Sequence, residues 1–183
     1  MKFGGSSVAN SENINRVIGI VMESREENDS LVIVVSALGG VTDELIKLAK
    51  TASTQDLKYK VIFKSICDKH NKIIEELIKN GRKSVVFKKV KEKYEELKRI
   101  LEKIFALGEV SPQWLDAVVS FGEQFSAYTI SEAIKSRGVR CEFIDSREII
   151  KTDDNFGEAN VDIENSYDLI VKRVDRKGEL FVL

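Results

Sequence analysis

Cysteine occurs twice, and proline, histidine and tryptophan once each, in a chain of 183 residues. Each shortage closes off a class of structure. Cys67 and Cys141 stand far apart and outside any CxxC or Cys/His cluster, so neither a disulfide framework nor a zinc site has support, and two buried, reduced thiols are expected. The single histidine, His70, has no triad or metal-ligand neighbour and is assigned no chemistry. Charge of one sign is also missing: 29 Lys plus Arg against 30 Asp plus Glu leave a formal net charge of −1, which offers no basic field to hold nucleic acid or an anionic membrane. The longest purely apolar run, Leu31 to Val35, is far too short to span a bilayer. Met1-Lys2-Phe3 runs straight into Gly4-Gly5-Ser6-Ser7, which leaves no room for the apolar core of a secretory signal, so a cytoplasmic location is expected. What remains, 43% hydrophobic and 32% charged, is the composition of one ordinary globular domain.

Hydrophobic periodicity divides the chain. Ile14, Val17, Ile18, Val21 and Met22 form one helical face after Asn10-Ser11-Glu12. The β-branched run Leu31–Val35 follows a polar turn at 26–30 and reads as a strand covered on both faces. Gly39-Gly40 then leads into a helix through about Lys50, with Thr42 as its expected cap. Leu57, Val61, Ile62, Ile66, Ile73, Ile74 and Leu77 make a second stripe, expected to stop at Asn80-Gly81. A long helix follows from about Ser84 to Leu107, with Gly108 past its end. Ser111-Pro112 opens a further helix, expected to run unbroken to about Lys135. Val139–Ile144 reads as a strand, Ser146–Ile150 as one helical turn and 152–157 as a polar loop. Asp162 caps a last helix with Tyr167, Ile170, Val171 and Val174 expected inward. Leu180–Leu183, apolar at every position, reads as a strand inside a sheet. Strands interleaved with helices predict an α/β fold around a parallel sheet, with a helical insertion at about 56–110. Lys2 is expected just after a first strand, and both the beginning and the apolar ending suggest a chain cut from something longer.

Three stretches have residues suited to chemistry. Lys2-Phe3-Gly4-Gly5-Ser6-Ser7 places a cation and two glycines just before a helix, where free backbone N–H groups can approach an anion; the alternative is a simple tight turn. Ser36-Ala37-Leu38-Gly39-Gly40-Val41-Thr42 is a second such turn, and two of them at strand ends can face one crevice. Phe121-Gly122-Glu123 sits in an apolar helix, where Glu123 is either a paired buried acid or a carboxylate aimed into a cleft. Gly122, costly in a helix interior, implies close approach of a neighbour. The nine basic and four acidic residues from Arg82 to Lys103 read instead as a solvated helix face with pairs such as Glu95–Arg99.

Taken in order, Lys2-Phe3-Gly4-Gly5-Ser6-Ser7-Val8, Val34–Asp43 and Val119-Ser120-Phe121-Gly122-Glu123 closely resemble the three successive motifs of aspartate kinases. Phe143-Ile144-Asp145-Ser146-Arg147 and Lys151–Gly157 resemble the family's next segment, so the likeness runs over the whole chain. The resemblance implies a three-layer αβα sandwich of the amino-acid kinase type, with the chain as its N-terminal, aspartate-binding lobe. It also implies transfer of the γ-phosphoryl group of ATP, with its bound Mg²⁺, to the side-chain carboxylate of L-aspartate, and a homo-oligomeric assembly. The product, 4-phospho-L-aspartate, leads to lysine, threonine and methionine. By position, Lys2 stabilises the transferring group, and Lys2, Phe3, Gly4, Gly5 and Ser6 cradle the ATP phosphates. Thr42, Glu123 and Ser36 hold aspartate, and no residue is assigned to a metal.

Two departures matter. The arginine that many family members carry after the Phe-Gly of the later loop is absent from Phe156-Gly157-Glu158, which leaves Arg147 or Lys151 as substitutes. Nothing matches the family's nucleotide-binding second half, so little or no kinase activity is expected of these residues alone. A relative acting on glutamate, acetylglutamate or a nucleotide, and a non-catalytic binding or assembly lobe, are the alternatives.

Overall fold

In a computed structural model that describes residues 1–26, 30–174 and 178–183, four parallel strands form one sheet in the order β1-β2-β6-β3. These are β1 (Lys2–Phe3), β2 (Leu31–Val35), β3 (Cys141–Phe143) and β6 (Leu180–Val182). Lys2 pairs with Val34 and Phe3 with Val35, while Leu180 is flanked by Leu31 and Cys141. Because all four strands run the same way, their carboxyl ends share one edge of the sheet. Leu180–Val182, of the apolar run at the end of the chain, is fully buried between β2 and β3, as a strand without alternation should be. Lys2 lies within β1 rather than after it.

Alternation sorts the two faces. Ile33, Val35, Leu180 and Val182 join the main core with α1 (Ser11–Glu26) and α6 (Phe121–Lys135). Val32 and Phe181 turn the other way, onto α7 (Ser146–Ile149) and α8 (Ile163–Val174). The result is an αβα sandwich. Beyond α6 lie the remaining helices, α2 (Val41–Ser53), α3 (Tyr59–Leu77), α4 (Asn80–Leu107) and α5 (Pro112–Val119). Glu132, buried on α6, is tied to this outer layer by Arg82 at 2.6 Å and to Lys135 at 2.7 Å. Burial pushes its carboxyl up, but those two cations outweigh that and hold it below the usual range.

Several expectations need correction. The helix from Pro112 breaks at Ser120, whose hydroxyl donates to the Ala117 carbonyl at 2.8 Å while Gln124 Nε2 donates to the Ser120 carbonyl at 3.2 Å. Side-chain competition of this kind bends a helix. Asn80 and Gly81 do not end α3; Ile78 and Lys79 are extended and α4 starts at Asn80. Gly40, with φ 79°, precedes α2, so Thr42 is inside the first turn and caps nothing. Leu57 and Val61 are 60% and 70% exposed, and Tyr167 and Val171 face outward too. Val34 is not covered, because its side of β2 opens into a cleft. A small antiparallel pair, β4 (Lys151–Thr152) with β5 (Val161–Asp162), brackets the polar loop. Arg99 is not the partner of Glu95, which faces Lys98 at 3.9 Å. The turn expected at 26–30 falls partly outside the described residues.

Other expectations hold. Gly108 ends α4 with φ 73°, and Ser111 Oγ accepts the Trp114 N–H at 3.2 Å. Asp162 accepts the Asn165 N–H at 3.1 Å. Both cysteines are buried and free, and burial pushes each thiol up to about 12.

Two glycines give opposed stability tests. A Cβ on Gly122 would lie 2.8 Å from Ala37 Cβ and 3.3 Å from a Leu45 methyl, whereas one on Gly19, exposed on α1, meets nothing within 4 Å. Alanine at 19 gains about 1 kcal/mol of helix propensity. Alanine at 122 gains the same but overpacks the core by about 1–3 kcal/mol. In urea unfolding Gly19→Ala is therefore expected to raise stability, and Gly122→Ala to lower it by up to about 2 kcal/mol.

His70 supplies a pH test. Its Nδ1 donates to the Ile66 carbonyl at 2.8 Å, its ring packs 5.0 Å from that of Phe125, and Nε2 has no partner among the described residues. Burial lowers its pKa to about 4. The unfolded chain takes up a proton near pH 6.5 that the folded chain refuses until about 4. Stability from this group is whole above pH 6.5 and falls by roughly 3 kcal/mol as pH drops towards 4. Measured between pH 7 and 4, His70→Gln should lose less stability than the unsubstituted protein by about that amount.

Candidate functional site

The carboxyl edge of a parallel sheet is where turns leave strands with unpaired N–H groups, and ligands of open α/β sheets gather there. Two such turns meet here. The first runs from Gly4 to Ser7 and is closed by the Ser7 N–H to the Gly4 carbonyl at 2.9 Å and the Val8 N–H to the Gly5 carbonyl at 3.3 Å. Among the described residues, the N–H groups of Gly4, Gly5 and Ser6 donate to no protein acceptor. A Cβ on Gly4 would meet nothing within 4 Å, so the space above the turn is open. The residues present thus fit a phosphate group held by backbone N–H donors.

The second turn is pressed against the first. A Cβ on Gly5 would come within 3.3 Å of the Ala37 carbonyl, and one on Gly39 within 2.9 Å of Ala9 Cβ. Ser36 donates its N–H to the Phe3 carbonyl at 3.1 Å, and its own carbonyl accepts the Ser126 hydroxyl at 2.6 Å. Glycine at 5, 39 and 122 is what lets two turns and a helix share so little room.

Glu123 resolves into the cleft-facing alternative. On α6 nearly every side chain is buried, but Glu123 is exposed, and its Oε1 accepts the Ala37 N–H at 3.3 Å. It opens into a cleft of about 280 Å³ lined also by Val34, Gln124, Phe143, Asp145 and Arg147. Arg147 is fixed by a fork to Asp145, Nε to Oδ1 at 2.9 Å and Nη2 to Oδ2 at 2.6 Å, with Nη2 also donating to Gln124 Oε1 at 2.8 Å. Partial burial pushes the Asp145 carboxyl up, yet the hydrogen bonds and charge of Arg147 prevail and hold it below the usual range. The cleft therefore offers an acid and a fixed guanidinium on largely apolar walls.

The structure brings together some of the expected residues. Lys2 is exposed and in register with Val34, so its side chain rises on the sheet face that Val34 presents to the cleft. Phe3, Gly4, Gly5 and Ser6 adjoin Ser36 and Ala37. Lys2, Ser36 and Thr42 do not line the cleft itself, and Thr42 stands at the far end of the second turn. Lys151, exposed, spends its ammonium on the Arg147 carbonyl at 2.9 Å, so of the two candidate cations only Arg147 lies with Glu123. Gln124 and Asp145 went unnoticed as site residues. For Asp145 a signal existed, a charge pair two residues apart directly after a strand. For Gln124, one polar residue in a helix, there was none.

Among the described residues no three His, Cys, Asp or Glu side chains gather as a metal centre needs. Nor is any helix among them long and apolar enough to cross a membrane.

A parallel α/β sandwich with anion-ready turns and a charged cleft along one sheet edge defines a class that binds small charged ligands at its strand ends. The model of the amino acid kinase family matches residues 1–183, and the chain belongs to that family. It is 31% identical over 167 residues to lysine-sensitive aspartokinase 3 of Escherichia coli, covering 88% of this chain and 34% of that one. To the maize chloroplastic bifunctional aspartokinase/homoserine dehydrogenase 1 it is 31% identical over 149 residues, covering 81% of this chain and 16% of that protein. Crystal structures of E. coli aspartokinase III, one with lysine and aspartate (T-state) and one with aspartate and ADP (R-state), each superpose with a TM-score of 0.84 at 26% identity. Each match covers 98% of this chain and 39% of that one.

Proposed function

We propose that the chain is the aspartate-binding part of an aspartate kinase, in which the γ-phosphoryl group of ATP passes to the side-chain carboxylate of L-aspartate. The observation that carries this reading is Glu123, a carboxylate aimed into a cleft from an otherwise buried helix face, with the fixed guanidinium of Arg147 on the same cleft. An α-amino acid needs such a pair: an acceptor for its ammonium and a donor for a carboxylate. Relatives with aspartokinase names, and a solved relative holding aspartate and ADP, support the choice of substrates.

Chemically, the acceptor carboxylate is ionised at neutral pH and needs no general base. Its oxygen forms a bond to the γ-phosphorus as the bond to the β–γ bridging oxygen breaks, and ADP leaves with that electron pair. The obstacle is repulsion between two anions, so the catalytic work is positioning and charge compensation. Lys2, beside the cleft, offsets charge on the transferring group. Gly4, Gly5 and Ser6, following Phe3, hold phosphate oxygens through their backbone donors, Glu123 takes the substrate ammonium, and Ser36 and Thr42, on the second turn beside the cleft, supply further aspartate contacts. Arg147 stands in for the arginine missing after Phe156-Gly157. The 183 residues alone are expected to bind aspartate but turn over ATP little, since they span only 39% of the solved relative.

Calorimetric titration of the purified chain with L-aspartate, then with Mg-ATP, tests the proposal. Aspartate should bind, and Glu123→Ala should weaken it by roughly 10- to 100-fold, the worth of one charge-assisted hydrogen bond. Lys2→Ala should leave aspartate affinity nearly unchanged. A folded chain that ignores aspartate would sink the substrate assignment, and a coupled assay showing aspartate-dependent ATP turnover would overturn the expected inactivity.

A further inference from the structure

The turn after β2 is held from a direction the strand-end motifs do not contain. Lys69, on α3 in the outer helical layer, reaches inward so that its Nζ donates to the Gly39 carbonyl at 2.8 Å. Its ammonium also faces Glu44, in the first turn of α2, at 3.4 Å. A Cβ on Gly40 would sit 3.9 Å from the same nitrogen. We propose that Lys69 is a positioning residue for the candidate site: it clamps the Gly39–Gly40 peptide in one orientation and so fixes the turn that carries Ala37 and Thr42. This rests on the reading of the cleft given above.

Stability alone does not call for this contact. The Gly39 carbonyl lies on a partly exposed turn where water would satisfy it at little cost, and the Lys69–Glu44 pair is about one-third exposed on each side, a setting in which ion pairs contribute little. Ordering a lysine side chain also costs rotamer entropy. What the contact does supply is a single state for a peptide between two glycines, a unit whose backbone otherwise has unusual freedom. Gly40 is in the left-handed region at φ 79°. In a trans peptide the C=O and the next N–H point in opposite directions, so holding the Gly39 carbonyl on Lys69 turns the Gly40 N–H away from the helical layer. Rotation of that peptide would move the turn's two ends relative to each other. One end is Ala37, whose N–H holds Glu123; the other is the start of α2, with Thr42 in its first turn. Gly39 itself has no room to drift, being pressed on Ala9 and 3.5 Å, from its would-be Cβ, to the Gly5 carbonyl. The lysine therefore selects between orientations without setting where the turn lies.

The test compares Lys69→Met, which keeps the stem and removes the donor, with Lys69→Arg, which restores a cationic donor. Amide resonances of Gly39 and Gly40 should shift or broaden in Lys69→Met and return towards their original positions in Lys69→Arg, with those of Gly19 on α1 unmoved. L-aspartate affinity should fall by about tenfold in Lys69→Met, recover to within about threefold in Lys69→Arg, and do so with little change in the urea midpoint. Unchanged Gly39 and Gly40 resonances in Lys69→Met would overturn the clamp. Shifted resonances with undiminished aspartate affinity would overturn its role in the site. If the unsubstituted protein bound no aspartate, the reading of the cleft would fail, and the resonance comparison would still decide the clamp.

Discussion

Everything at the sheet edge depends on how closely other groups approach Ala37. Its N–H holds Glu123, its carbonyl lies against Gly5 and its methyl group against Gly122. These contacts bind the β1 turn, the β2 turn and α6 into one unit, and the two at Gly5 and Gly122 each need a residue without a side chain. A larger residue at either would separate the phosphate-ready turn from the carboxylate. The site's geometry is thus a packing result before it is an electrostatic one: interiors this dense transmit a displacement of one methyl group rather than absorb it.

Most of the fold was legible because its decisive signals are local. A β-branched run, an apolar terminal strand, Ser111-Pro112 and Gly108 each state a backbone preference that tertiary structure had no reason to override. The misreadings share another cause. Tyr167 and Val171 belong to an apolar arc on α8 wider than the core it meets, and periodicity does not say which part of a wide arc is covered; Leu169, Ile170 and Val174 took the buried side. The break at Ser120 was invisible for a similar reason. It depends on Gln124 folding back onto it, while Arg147, from a distant part of the chain, holds the far end of that amide.

The site divides along the same line. Residue type and position relative to strand ends pointed to Lys2, the two glycine turns and Glu123, because anion binding and a lone acid in an apolar helix have few explanations. The cleft's guanidinium could be offered only as one of two substitutes, since choosing between Arg147 and Lys151 requires knowing which faces Glu123. Geometry decides it through a neighbour: Asp145 fixes the Arg147 fork, and Lys151 is spent on a carbonyl.

That arrangement has an electrostatic consequence. A guanidinium already paired with a carboxylate presents less net charge to a ligand than a free one, but it is held in place, so less rotamer freedom is lost when a substrate carboxylate meets it. In the proposed reading charge is therefore traded for fixed geometry on the substrate side, whereas Lys2, exposed and on a flexible stem, serves the phosphate side. The division suits phosphoryl transfer between two anions. The acceptor must be oriented, which favours a rigid, partly neutralised clamp; the donor's charge changes during reaction, which favours a mobile cation able to follow it.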